Sequence, residues 1–63
     1  MIINGTEMDF ERVTITQLLE KLDLEEEKVV VEVNFQIIPK EKYEEYVLNK
    51  ADKVEIVSFV GGG

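Results

Sequence analysis

The sequence predicts an α+β domain: a mixed sheet of four to five strands, covered on one face by one main helix, plus a short second helix. Three observations carry this expectation. Ile15, Leu18, Leu19 and Leu22 recur at i, i+3, i+4 and i+7, which lays one apolar stripe along a helix. Val29-Val30-Val31-Glu32-Val33-Asn34 is β-branched and almost continuous, the pattern of a central strand. Val54-Glu55-Ile56-Val57-Ser58-Phe59-Val60 reads as a last strand and runs directly into Gly61-Gly62-Gly63.

Taken in order, Met1-Ile2-Ile3-Asn4 forms a first short strand. Asn4-Gly5 is a turn dipeptide, and a second strand is expected around Glu7–Arg12, making a hairpin. Thr14 stands three residues before Gln17, the spacing at which two side chains reciprocally satisfy orphan N–H groups at a helix start. Val13 and Leu18 fall at the positions that staple such a cap, so the helix should run from about Ile15 to Leu22. Gln36-Ile37-Ile38 is expected as a short edge strand, because Pro39 has no N–H to continue a ladder. Pro39 also suits the first position of a short helix, with Tyr43, Tyr46 and Val47 on its buried side. Asn49–Lys53 then turns the chain into the last strand. Residues 1–60 are expected as the domain and residues 61–63 as a flexible glycine tail.

Composition narrows the function classes. Sixty-three residues make one domain, near the lower size limit for folding without staples. There is no cysteine and no histidine, so disulfides, thiolate metal sites and the usual general base are absent from the sequence. Packing alone must hold the core, and 44% hydrophobic residues make that feasible. A net charge of −7 argues against nucleic acid, whose phosphates call for a basic footprint, and against an anionic membrane surface. Mean hydropathy is −0.08 and no long apolar run occurs, so no membrane span and a cytoplasmic location are expected. Ser58 is the only serine, and without histidine it cannot enter a serine triad. Glu25-Glu26-Glu27 and Glu41, Glu44 and Glu45 read as solvated faces, so the chain is not expected to be an enzyme.

The glycines carry the functional expectation. Glycine lacks a Cβ, so a Gly61-Gly62-Gly63 tail offers no side chain to obstruct a narrow channel. Three extended residues reach roughly 10 Å. The chemical group at the tip is the α-carboxylate of Gly63, and such a tail suits its delivery into another protein's active site. The bland alternative is a frayed terminus or a cloning remnant.

A small sheet wrapped around one helix and ending in glycines resembles the ubiquitin-like β-grasp, and within it the ThiS family of thiamine-biosynthesis sulfur carriers. The resemblance covers the whole chain. It is carried by Met1–Asn4, by Val33-Asn34-Phe35-Gln36-Ile37-Ile38-Pro39-Lys40-Glu41, and by Asp52-Lys53-Val54-Glu55-Ile56 leading to Phe59-Val60-Gly61-Gly62-Gly63. Three departures stand out: Ala51 where the family often has glycine, Lys40 where it usually has arginine, and Phe35 where a small or polar residue is more common. Lys40 keeps the charge and loses bidentate geometry.

The resemblance implies a chemistry. A partner adenylyltransferase, using ATP and magnesium that this chain does not itself bind, would convert the Gly63 carboxylate into an acyl-adenylate. A persulfide from a sulfur-transfer protein would displace AMP, leaving a thiocarboxylate that donates sulfur to thiazole synthase. The carrier would contribute no catalytic side chain and no metal site; Gly61 and Gly62 would keep the approach narrow. The same tail would serve a carrier for molybdopterin or transfer-RNA thiolation, or a ubiquitin-like modifier. An interaction module with an inert tail is the reading of another class.

Strand alternation also names a docking surface. If Ile56 faces the helix, then Val57 and Phe59 face outward, and Ile2 joins them by the same parity. Exposed clusters of this kind read as interfaces, here for the activating enzyme, with Glu32 and Glu55 steering from the rim. The alternative is that Phe59 merely folds over the sheet edge.

Overall fold

The computed structural model describes residues 1–59. Strands β1 (Ile2–Ile3), β2 (Thr6–Glu7), β4 (Val29–Val33), β5 (Gln36–Ile37) and β7 (Lys53–Ser58) form a five-stranded sheet in the order β2-β1-β7-β4-β5. β1 and β7 are parallel and the other pairs antiparallel, so the sheet is mixed, as expected. The C-terminal strand β7 occupies the middle, and β4 is interior beside it. Strands β3 (Val13–Thr14) and β6 (Val47–Leu48) make a separate two-stranded pair.

Helix α1 spans Ile15–Lys21, with Leu22 as its C-cap. Its start is chemically specified: the Gln17 amide donates to Thr14 Oγ1 at 3.1 Å, and the Thr14 amide donates to Gln17 Oε1 at 2.9 Å. Ile15, Leu18 and Leu19 are buried, while Leu22 and Val13 pack partly against the core. From the sheet come Ile3, Val29, Val31, Val33, Val54 and Ile56, joined by Met1, Ile38, Tyr43 and Leu48. β4 is buried on alternate residues only, so Val30 and Glu32 lie on the opposite, outer face. No buried polar side chain lacks a hydrogen-bond partner among the described residues.

Two sequence expectations are corrected. The expected second strand around Glu7–Arg12 pairs only at Thr6–Glu7. Arg12 takes a left-handed φ of 58°, incompatible with an extended run, and the next pairing begins at Val13. The expected second helix is a single 3₁₀ turn, Lys40–Lys42, with Pro39 capping it in extended conformation at ψ 147°. Tyr43 is buried after it, but Val47 is exposed and belongs to β6, because the chain must straighten there to reach Val13–Thr14.

Tyr43 offers a solution test of the core. Desolvation by burial raises its phenol pKa; a backbone hydrogen bond at Val31 lowers it, and the Glu26 carboxylate raises it slightly further. The folded protein therefore favours the neutral phenol. Stability from this group is fully present below the unfolded tyrosine value of about 10 and is lost as pH rises through the higher folded value. Urea midpoints should fall above about pH 10, and Tyr43→Phe should reduce that alkaline loss.

The two hairpins are closed by two-residue turns with positive φ at both central residues: Asn4 (50°) and Gly5 (82°), then Asn34 (51°) and Phe35 (71°). Asn-Gly suits this turn. Phe35 does not, since a side chain in the left-handed region costs about 1–2 kcal/mol.

Candidate functional site: the outer sheet face and the strand that leads to the tail

β7 is held from both sides and then clasped by two turn asparagines. Asn4 Oδ1 accepts from the Ile56 amide at 2.7 Å, and Asn4 Nδ2 donates to the Ile56 carbonyl at 3.2 Å. The side chain thereby prolongs the β1–β7 ladder beyond the end of β1. Asn34 Oδ1 accepts from the Lys53 amide at 3.0 Å, and its Nδ2 donates to Asp52 Oδ1 at 3.1 Å. Asp52 in turn accepts from the Asn49 amide at 2.8 Å, closing the turn before β7. The ladder continues to the last described residue, where the Phe59 amide donates to the Lys28 carbonyl at 3.0 Å. The strand that precedes the glycines is thus anchored at both ends. Gly61, Gly62, Gly63 and the last residue of the expected domain, Val60, lie outside the described residues.

Parity places Lys53, Glu55 and Val57 on the outer face, since Val54 and Ile56 are buried. Val57 is 58% exposed and Phe59 45%. The Lys40 ammonium, at the 3₁₀ turn after β5, lies 5.9 Å from the Phe59 ring centroid. Ile2, 39% exposed, is on the same face but pairs with Lys53. Four residues of strand, roughly 13 Å, separate that position from Val57. The face therefore carries Val57 and Phe59 toward the tail and Ile2 at the opposite end.

Between these ends Glu32 and Glu55 face each other directly across β4 and β7, and Ile37 stands opposite Glu32 on β5. The two carboxylates expected at a rim are in the middle of the face. Like charges directly opposite are unfavourable in a sheet, so a basic group from outside would be welcomed there. Sequence reasoning also left Phe35, Ile37 and Lys53 out of the patch. Phe35 is 76% exposed and Ile37 67%. The Lys53 ammonium sits 4.8 Å from the Phe35 ring centroid, which draws that ring toward the outer face. Hydrophobic residues in a two-residue hairpin turn and on the edge strand beside it were the available signal.

No group of three or more carboxylates that could hold a metal ion occurs among the described residues. Nor is any helix there long and apolar enough to cross a membrane. The arrangement offers an exposed, partly apolar sheet face beside a strand that is hydrogen-bonded at both of its ends.

The profile of the ThiS family matches residues 1–63. The chain is 44% identical over 63 residues to the sulfur carrier protein ThiS of Bacillus subtilis, covering 97% of this chain and 96% of that protein. It is also 44% identical over 64 residues to a thiazole synthase of Paramagnetospirillum magneticum; the match takes in all of this chain but spans only 20% of that protein. Among solved structures, a crystal structure of the thiamine biosynthesis protein ThiS from Geobacter metallireducens superposes with a TM-score of 0.80 at 32% identity. That alignment covers 98% of this chain and 96% of the other.

Proposed function

The chain belongs to the ThiS family of sulfur carriers in thiamine biosynthesis, and from that premise we propose that Gly63 is the residue that carries the sulfur. An adenylyltransferase, with ATP and magnesium in its own site, joins the Gly63 carboxylate to AMP and releases pyrophosphate. Adenylation is needed because a carboxylate is anionic and has no good leaving group. A persulfide held by a sulfur-transfer protein attacks the acyl carbon, and AMP departs. A thiol then cleaves the acyl disulfide so formed, leaving the thiocarboxylate on Gly63. The chain itself is a protein substrate and sulfur donor, acting in the cytosol and supplying no catalytic group.

The observation that carries this reading is the placement of β7. It is the middle strand, it is clasped by Asn4, and it carries Val57 exposed near its end, with Phe59 exposed just beyond it and two residues before the first glycine of the sequence. A partner that docks on those side chains receives the tail in a set direction. Gly61 and Gly62 then enter a channel too narrow for a residue that carries a Cβ. For the sulfur acceptor, the similarity of this chain to a stretch of a thiazole synthase supports that enzyme as partner.

Two measurements test the reading. Intact mass of the protein isolated after production with its activating and sulfur-transfer partners should show the gain of one sulfur for one oxygen at Gly63. In pyrophosphate release, the double variant Val57→Ala/Phe59→Ala should remain folded by circular dichroism yet lose adenylation by roughly 30-fold or more, as expected when interface anchors are truncated. Unchanged adenylation kinetics would move the docking surface away from this part of the face.

A further inference from the structure

Phe35 is the most anomalous side chain on the surface. It takes a left-handed φ of 71° that glycine would adopt without strain, and it exposes 76% of an aromatic residue to water. Yet its surroundings are orderly. Asn34 is tied to Asp52 and Lys53, and the Lys53 ammonium lies over the Phe35 ring at 4.8 Å. The ring is therefore placed beside the outer face, at the end remote from Phe59. Ile2 flanks Lys53 there from β1, so this end continues the surface already assigned to docking. Size leads to the same conclusion. A specific interface takes roughly 800 Å² from each partner. In a body measuring 33 × 23 × 21 Å, that is as much as the whole of its broadest side, so a partner gripping only Val57 and Phe59 falls short.

We propose that Phe35 is a second anchor of the docking face, seated in an apolar pocket of the same adenylating partner, which thereby covers β7 along its whole length. The proposal rests on the activation reading above. The partner's surface has an apolar pocket for each phenylalanine and, between them, a basic side chain opposite Glu32 and Glu55. Two anchors far apart fix orientation as well as contact, so the face is aligned with the channel that takes the tail. Phe35 acts in binding and touches no reacting atom.

The test uses the full chain, the adenylyltransferase of its source cell, ATP and magnesium, with pyrophosphate release as readout. Phe35→Gly leaves the turn sequence Asn-Gly, which favours this hairpin, so the variant folds. The expected result is a KM for the carrier raised roughly 10- to 100-fold with kcat within about two-fold of the parent. Phe35→Tyr, which keeps the ring, should restore KM. An adenylated parent together with an unchanged KM for Phe35→Gly overturns this proposal alone. A parent that is not adenylated overturns the activation reading and this proposal with it. Concentration-dependent dimerisation that Phe35→Gly abolishes, at unchanged KM, assigns the site to a second copy of the chain and also overturns the proposal.

Discussion

Removal of Gly62 and Gly63 should abolish adenylation and leave the melting temperature of the domain nearly unchanged. The two halves of this expected result have separate causes. Glycine has no side chain to bury, and the described core is drawn from residues between Met1 and Ile56. Activation, by contrast, needs the acyl carbon at one point in the partner's site, and each extended residue displaces it by roughly 3.5 Å. A misplacement of about 1 Å can already cost about a hundred-fold in rate. Appending one residue after Gly63 should therefore block activation as fully as deletion does. Pyrophosphate release and a thermal melt on the same preparations check both halves. An extended protein adenylated at the parent rate, without prior trimming, would overturn the assignment of Gly63.

Leu19→Ala should unfold much of the population at moderate temperature. Leu19 is 2% exposed, in the middle of the stripe that α1 lays on the sheet. Truncating a buried leucine costs about 2–5 kcal/mol, through lost transfer energy and the cavity left behind. A core in a chain this small supplies only about 3–5 kcal/mol in total. The substitution removes a large fraction of that margin, and no disulfide limits the damage. Far-ultraviolet circular dichroism against temperature gives the answer. A variant that melts with the parent would mean that the helix packs in a different register.

Local chemistry made much of the fold legible. The Thr14–Gln17 capping box and the Ile15–Leu18–Leu19 stripe act over neighbouring residues, and the structure reproduces both. Asn4-Gly5 closes the first hairpin as expected, and Gln36–Ile37 is the edge strand before Pro39. What failed depended on distant segments. Tyr43 and Val47 look alike in a hydrophobic pattern, yet Tyr43 enters the core while Val47 pairs with Thr14 and stays exposed. Phe35 was noticed only as an unusual neighbour of Asn34; its exposure and its contact with Lys53 depend on β4, β5 and β7 meeting at one end of the sheet.

The outer sheet face divides in the same way. Parity along one strand depends only on the backbone, and it was enough to send Val57 outward and Val54 and Ile56 inward; Phe59, just past the end of that strand, is exposed as well. The class of the domain and the helix with its cap were likewise determined by the sequence itself. Each rests on contacts between residues close in the chain or on composition. Only the tertiary structure decided that β7 lies in the middle of the sheet, that Ile2 stands beside Lys53 far from Phe59, and that Glu32 faces Glu55. Those are register relations between residues as distant in sequence as Ile2 and Lys53. They are set by which arrangement buries the most apolar surface at once, a property of the assembled chain that no short window of residues contains.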